Sequence, residues 1–372
     1  LHIHEPGLRT LVQAAFRSGN LVVQSEPESA DAYIISVPTP FLDDKRADLS
    51  YVISAAEAIA PHLSPGNLVV LESTSPPRTT IDILAPILER SGLSAGEDFY
   101  LAYSPERVLP GQILRELIEN ARVIGGINSV SAKAGKDLFS LFVRGDILLT
   151  DATTAEMVKL MENTYRDINI AIANEFSQLA DRFKIDAWEA IEIANRHPRV
   201  HILNPGPGVG GHCISVDPWF LVESARELTP LIQAARHVND KQPEYVVELV
   251  KRALGGSCAG RAVALLGLTY KADVDDMREG PAVDIAQLLI KAGADVAAYE
   301  PSQRGKFVEG IQCRNSLEDT LGDAELLLLL VGHQEMRQLR PIDVAKLTSA
   351  RVVVDAVNAW DTENWARAGF IV

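Results

Sequence analysis

Short apolar runs alternate with helix-spaced stretches along most of the chain. Residues 32–37 (AYIISV), 67–72 (NLVVLE) and 99–103 (FYLAY) read as buried strands, each closed by a polar, Pro-bearing loop: PTP, STSPP and SPE. Residues 49–63 and 79–91 between them carry helical spacing. Strand, helix, strand at this spacing predicts a parallel α/β sheet, whose ligands sit at the carboxyl ends of its strands. From 152 to about 195 no strand-like run occurs, and the pattern predicts two long helices with a break near 184–186. A loop over 197–209 follows, then a helix over 230–254. The α/β pattern returns with strands at 261–267, 295–299, 326–331 and 351–355 and a helix at 281–292. The prediction is an α/β chain of two Rossmann-like doubly wound domains joined by a central helical domain: 1–150, 151–255 and 256–372.

Composition narrows this picture. The 372 residues are 47% hydrophobic, enough for more than one core. The longest wholly apolar run, 326–331, is far short of a membrane span. Fifty acidic against thirty-five basic residues leave a net charge of −15, which argues against a nucleic-acid or anionic-membrane binder. The three Cys are far apart, so a disulfide scaffold and a Cys-rich zinc site are both disfavoured, and a reducing compartment such as the cytoplasm is expected. The first segment, LHIHEPGLRTLVQAAFRSGNL, reads as a loop and helix that follow earlier structure, so the first domain is expected to be N-terminally incomplete.

Three segments carry candidate chemistry. In NPGPGVGGHCISVD (204–217), four Gly within 206–211 expose backbone amides, and Cys213 follows directly. A thiol beside such donors is a candidate nucleophile, the alternative being a structural Cys after a Gly-rich turn. His212 reads as a local hydrogen-bonding residue, and no second residue at metal-ligand spacing accompanies it, so no metal is expected. In EMVKLMENTYRD (156–167), Lys159 and Asn163 share a helix face and suit an oxyanion or a water. The competing expectation is a solvated polar stripe with a Lys–Glu pair. In GLTYKADVDDMRE (267–279), Lys271 and Arg278 suit a phosphate or carboxylate, unless Asp273, Asp275 and Asp276 simply neutralise them.

Taken together, VPTP (37–40), ESTSP (72–76), SPERVLPG (104–111), Lys159 with Asn163, the Gly-rich loop to Cys213, and 271–278 resemble the UDP-glucose/GDP-mannose dehydrogenase family, in order, over nearly the whole chain. The resemblance implies NAD as cofactor and a UDP-sugar as substrate. The implied reaction is a four-electron oxidation of the C6 alcohol to the uronic acid through a Cys213 thiohemiacetal and thioester. It implies catalytic roles for Lys159, Asn163, Asp217 and Glu106, and cofactor contacts for Thr39, Thr74 and Arg278. Substrate contacts would come from Lys271, Arg199 and the backbone at Gly208, Gly210 and Gly211, with Arg199 reaching in from a neighbouring subunit. The wording SPERVLPGQ, ANRHPRVHILNPGPGVGGHC and VDPWFLV is most similar to members acting on UDP-N-acetyl-D-mannosamine. UDP-N-acetylglucosamine, UDP-glucose, or a non-catalytic nucleotide-sugar binder are the competing readings. The family's GxGxxG loop for the NAD pyrophosphate is not found in the chain, and the residues after SPE lack the second Glu that UDP-glucose dehydrogenases carry. A homodimer or higher homo-oligomer is expected, packed through the Ala-rich faces at 155–180.

Overall fold

A computed structural model describes residues 5–42, 44–108 and 111–372. The chain forms two compact units: Leu1–Asn163 with Val216–Thr229, and Thr164–Ser215 with Pro230–Val372. The division falls inside one 32-residue helix, Ala152–Phe183.

The first unit is built on a five-stranded sheet in the order β1 (Ala32–Ile35), β2 (Leu68–Leu71), β3 (Tyr100–Tyr103), β4 (Arg122–Gly126) and β5 (Ile147–Asp151). All neighbours pair in parallel except β3 with β4. Alternate side chains feed two cores. Ile35, Val69, Leu71 and Leu101 enter one, while Leu68, Val70, Ala102 and Ile124 enter the other with Phe139. Strands β4 and β5 were not predicted. Gly125 and Gly126 in RVIGG resemble a turn, yet a Cβ at Gly125 would lie 2.4 Å from the Asp151 carbonyl and one at Gly126 2.2 Å from that of Asn128. The predicted helix at 79–91 is irregular. It opens with a wide i→i+5 segment, Thr79–Leu84, and ends in a tight turn, Glu89–Ser91, with Pro86 between them removing one amide donor.

The second unit holds a parallel four-stranded sheet. Its strands are β6 (Ala262–Leu266), β7 (Asp295–Tyr299), β10 (Leu326–Leu329) and β11 (Val352–Asp355); a two-residue-stranded hairpin, β8 (Phe307–Val308) and β9 (Ile311–Gln312), lies apart. The order β11-β10-β6-β7 reverses direction at β6, which places the ligand crevice beyond the carboxyl ends of β6 and β10. Val263, Leu265, Leu326 and Leu328 pack with Ile285 and Leu289 of the helix Pro281–Lys291. Ala264, Leu266, Leu327 and Leu329 pack on the opposite face with Trp360 and Trp365.

The break at 184–186 is present, but the helix after it, Ala187–Ala194, has only eight residues. The alanines expected to face a second copy, Ala155, Ala171, Ala173 and Ala180, are instead buried within the single chain. The outward side of the long helix presents Tyr165, Ile172, Phe176, Leu179 and Phe183. Among the described residues, no helix is long and apolar enough to cross a membrane.

Candidate active site

In the first unit, Asp151 caps the long helix by accepting from the Thr154 N–H at 2.9 Å and its hydroxyl at 2.6 Å. This fixes the register of Lys159 and Asn163, which lie one turn apart. Asp217 opens the helix Asp217–Ser224, with Pro218 behind it. The Asn163 amide donates to Asp217 Oδ2 at 2.6 Å. Asp217 is 2% exposed and Lys159 8%, so the solvated-stripe expectation fails. Burial pushes the Asp217 carboxyl up to about 6, against the Lys159 charge and the Asn163 hydrogen bond. The result is a carboxylate that can take a proton near neutrality, beside a buried cation.

Glu156, one turn before Lys159, is no partner of it. It is fully buried and accepts from the Thr80 N–H at 2.8 Å, the Thr80 hydroxyl at 2.6 Å and the Arg78 N–H at 2.5 Å. Tyr103, at the end of β3, is also fully buried. Burial, then the charges of Glu156 and Asp217, raise its pKa.

Arg122, buried at the start of β4, draws the other loops together. Its Nε donates to Ser104 Oγ at 2.9 Å, one terminal nitrogen pairs with Glu72, and that nitrogen lies 3.6 Å from Glu106 Oε2. Arg107, which the sequence reading left without a role, grips Glu162 with Nε at 3.1 Å and a terminal nitrogen at 2.5 Å. Glu162 neighbours Asn163, so the loop carrying Glu106 is fastened to the helix carrying Lys159 and Asn163. Leu109 and Pro110 of the SPERVLPG motif lie outside the described residues. Thr39 and Thr74 are half-buried just past the carboxyl ends of β1 and β2. Ser73 Oγ ties the two loops, accepting from the Val37 N–H and donating to its carbonyl, each at 2.8 Å. Hydroxyls at the ends of adjacent parallel strands suit a polyhydroxylic ligand such as NAD.

In the second unit, the Gly-rich loop packs onto residues 270–281. A Cβ at Gly210 would lie 2.5 Å from the Glu279 carbonyl and 2.6 Å from Pro281 Cδ; one at Gly211, where φ is +85°, would lie 2.9 Å from the Tyr270 ring. Gly208 faces Pro281 in the same way, at 3.0 Å. The Cα sides of these glycines therefore meet protein, and these three residues have only backbone groups to offer a ligand. Cys213 is exposed in the turn that follows. Its thiol is close enough to Tyr270 and Arg278 to interact with both electrostatically. Burial, then the Arg278 charge, hold the His212 pKa low.

Lys271 is exposed just beyond the end of β6, beside a cavity of about 210 Å³ that Gly208, Thr269, Pro281, Val331 and Arg337 also line. Arg278 is exposed and clasps Asp276 with two nitrogens, at 2.9 and 2.7 Å. Arg199 is exposed in the 195–205 loop and makes no ion pair among the described residues. Sequence reasoning missed His333, just past β10. Its Nδ1 accepts from the Asp273 N–H at 3.0 Å, which requires the Nε2–H tautomer. Nε2 then lies 3.1 Å from Glu300 Oε2 and 3.2 Å from Thr269 Oγ1. Burial alone would raise the Glu300 pKa, but hydrogen bonds from His333 and the Leu268 N–H outweigh it and hold the carboxyl low. This network anchors both sides of Lys271. The only sequence signal for it is a His and a Glu placed just after two predicted strands.

Comparison with known proteins agrees along the whole chain. The UDP-glucose/GDP-mannose dehydrogenase family is matched by its NAD binding domain over residues 1–143, its central domain over 153–241 and its UDP binding domain over 264–362. A UDP-N-acetyl-D-mannosamine dehydrogenase of Methanocaldococcus jannaschii is 47% identical, over 99% of this chain and 84% of that protein. An NDP-N-acetyl-D-galactosaminuronic acid dehydrogenase of Ralstonia solanacearum is 48% identical, over 98% of this chain and 88% of its own. The structure of a UDP-D-ManNAc dehydrogenase from Pyrococcus horikoshii superposes with a TM-score of 0.91 at 38% identity, covering 97% of this chain and 86% of that one. The chain belongs to the UDP-glucose/GDP-mannose dehydrogenase family.

Proposed function

We propose that this chain is an NAD-dependent dehydrogenase that oxidises the C6 alcohol of UDP-N-acetyl-D-mannosamine to UDP-N-acetyl-D-mannosaminuronate. The observation that carries the reading is the buried Asn163–Asp217 hydrogen bond beside Lys159, with Asp217 poised at about 6. A binding protein needs no buried carboxylate tuned to neutral pH. The Methanocaldococcus and Pyrococcus relatives support the sugar; the Ralstonia relative supports a galactosamine derivative as the runner-up.

NAD, when bound, supplies the hydride acceptor for both oxidations. The chain's own residues do the rest. Asp217 takes the hydroxyl proton in the first oxidation, directly or through water, which a carboxylate near its pKa does efficiently. Cys213 Sγ then adds to the aldehyde carbon to give a thiohemiacetal, and Lys159 balances the charge gathering on its oxygen. Loss of the second hydride leaves a thioester. With its first proton passed on to solvent, Asp217 takes the proton of a water that Asn163 helps to hold as that water attacks the carbonyl carbon, and the C–S bond breaks to release the carboxylate and the thiolate. Glu106, held near Arg122, is a further candidate for placing the water. Thr39, Thr74 and Arg278 are assigned to the cofactor; Lys271, Arg199 and the backbone at Gly208, Gly210 and Gly211 to the nucleotide sugar. Residues 1–150, 151–255 and 256–372 are the corresponding cofactor, central and nucleotide-sugar domains.

The chain is further assigned as a homodimer or higher homo-oligomer in the cytoplasm. Tyr165, Ile172, Phe176, Leu179 and Phe183 recur at seven-, four-, three- and four-residue steps on the exposed side of the long helix, an apolar stripe that a second copy would bury.

The test is NADH production with a panel of UDP-sugars. Full activity on UDP-N-acetyl-D-mannosamine and little on UDP-glucose or UDP-N-acetylglucosamine is expected. Cys213→Ala should form no uronate, with a loss on the order of 10³-fold or more, and Cys213→Ser should stall at an ester. Two NADH per sugar from Cys213→Ala would refute the mechanism, and no NADH from any sugar would favour the non-catalytic reading.

A further inference from the structure

Behind the Gly-rich loop runs a buried polar relay. Asn174 of the long helix is fully buried; its Oδ1 accepts from the Gly206 N–H at 2.9 Å and its Nδ2 donates to Asn239 Oδ1 at 2.9 Å. The Asn239 amide in turn donates to Asp167 at 2.8 Å through Oδ1 and 3.0 Å through the carbonyl. Asp167, fully buried, takes an Arg236 terminal nitrogen at 2.6 Å, and Arg236 also pairs with Asp240. The direction of every amide is dictated from one end. An ionised Asp167 can only accept, so Asn239 must turn its NH₂ toward it and its oxygen toward Asn174. Asn174 must then point its NH₂ at Asn239 and its oxygen at Gly206. Reversing either amide would set donor against donor.

Two observations separate this relay from ordinary packing. A Cβ at Gly206 would meet no atom within 4 Å, so no close approach at its Cα holds this residue, and the N–H it donates to Asn174 ties the loop to the long helix here. The relay is also expensive: Asp167 Oδ2 and Arg236 Nε are buried without a hydrogen-bond partner among the described residues. A buried ion pair of this kind contributes little net stability and is better explained by the geometry it specifies.

We infer that Asn174 is a positioning residue for the loop that delivers Cys213, and that Asp167, Arg236 and Asn239 fix its orientation. The inference rests on Cys213 being the nucleophile. If the loop drifts, Sγ adds to the aldehyde less often, and aldehyde leaves before the second oxidation. A general loss of stability would lower turnover without releasing aldehyde.

The experiment follows uronate and aldehyde together, the aldehyde being trapped by methoxyamine as its oxime with loss of water and identified by mass. With UDP-N-acetyl-D-mannosamine, Asn174→Ala should lower kcat about tenfold, leave KM within about threefold and raise trapped aldehyde about fivefold or more. Asn174→Asp, kept neutral by its full burial, keeps an acceptor for Gly206 and a donor for Asn239, and should return the leak to within about twofold of the parent. An unchanged leak in Asn174→Ala, or an equal leak in both variants, overturns the inference. Should Asn174→Ala not fold, Asn174→Ser decides, because its shorter side chain cannot reach Gly206: a raised leak supports the relay and a parental one overturns it. Cys213→Ser separates the two levels. If it still makes uronate the mechanism itself fails; if it does not, while Asn174→Ala shows no leak, only the relay fails.

Discussion

The two units hold their candidate chemistry in opposite ways. In the first, Lys159, Asp217, Glu156 and Arg122 are all buried, and Asp217, Glu156 and Arg122 are fixed by named side-chain partners. In the second, Cys213, Lys271, Arg278 and Arg199 are exposed, and the backbone beneath them is fixed instead, by glycines packed on residues 270–281 and by the His333 and Asn174 networks. Burial in the first unit sets charge and proton affinity, so substitutions there should change rate and pH dependence. The candidate groups of the second face solvent, so substitutions there should act through position and binding.

The largest effect that would break this contrast is at Lys159. Lys159→Met removes a buried cation while keeping most of the volume. A loss in kcat of about 10²- to 10³-fold is expected, the usual cost of one oxyanion-stabilising donor, with KM for the UDP-sugar little changed. Steady-state kinetics giving kcat within twofold of the parent would place Lys159 among structural residues. Without its cation Asp217 should also titrate higher, so any residual activity should need a higher pH.

Asp217 sharpens the same side of the comparison. As a proton acceptor it works only when ionised, so kcat/KM should rise with pH through about 6 and then level. Asp217→Asn should abolish that limb and lower the plateau about 10²-fold. The stability sign is opposite. The folded pKa is raised above 3.8, so the contribution of this group is fully present below that value and is lost as pH rises through about 6. Ionising it in the folded state costs roughly 3 kcal/mol. Asp217→Asn should therefore melt no lower than the parent at pH 8, and a sharp drop in melting temperature there would show that the ionised form is stabilising.

For the second unit the expected effect is positional. The Cβ of Gly210→Ala would fall 2.5 Å from a carbonyl and 2.6 Å from a proline ring, neither of which yields easily. Overpacking of this kind costs roughly 1–3 kcal/mol, read as a lower melting temperature with no change in the pH profile. A variant that melts like the parent would mean the loop is free to move off residues 270–281.

What was legible in the sequence follows from the same division. Strands buried on both faces declare themselves as runs such as 68–71 and 326–329, and Thr39, Thr74 and Glu106 stood out because Pro-closed loops follow such runs. Strand β4 was hidden because its glycines answer to neighbouring backbone rather than to a turn. The irregular helix at 79–91 was hidden because its helical spacing does not report a Pro-induced change of pitch. Lys159 could not be told from a surface lysine, since spacing shows which residues share a face but not which face is covered. Arg107, Arg122, His333 and the asparagine relay escaped for a common reason. Each has a partner 30 or more residues away along the chain, which no local window contains.

The smallest effect is expected at Arg278, and it discriminates most finely. The side chain is 67% exposed and its partner Asp276 lies two residues away, so the pair adds at most about 1 kcal/mol. Arg278→Gln should leave the melting temperature almost unchanged. If Arg278 contacts the cofactor, exchanging Asp276 for a phosphate or amide oxygen is easy, and the variant should raise KM for NAD about three- to tenfold with kcat within about twofold. A rise confined to the UDP-sugar KM would move the residue to the substrate side. Arg278 also interacts with the Cys213 thiol, so its loss removes a positive charge that favours the thiolate. Alkylation of Cys213 by iodoacetamide near neutral pH should then slow in Arg278→Gln. If the alkylation rate falls while both KM values hold, the exposed arginine serves the nucleophile rather than either ligand, and the second unit would tune charge after all, as the first one does by burial.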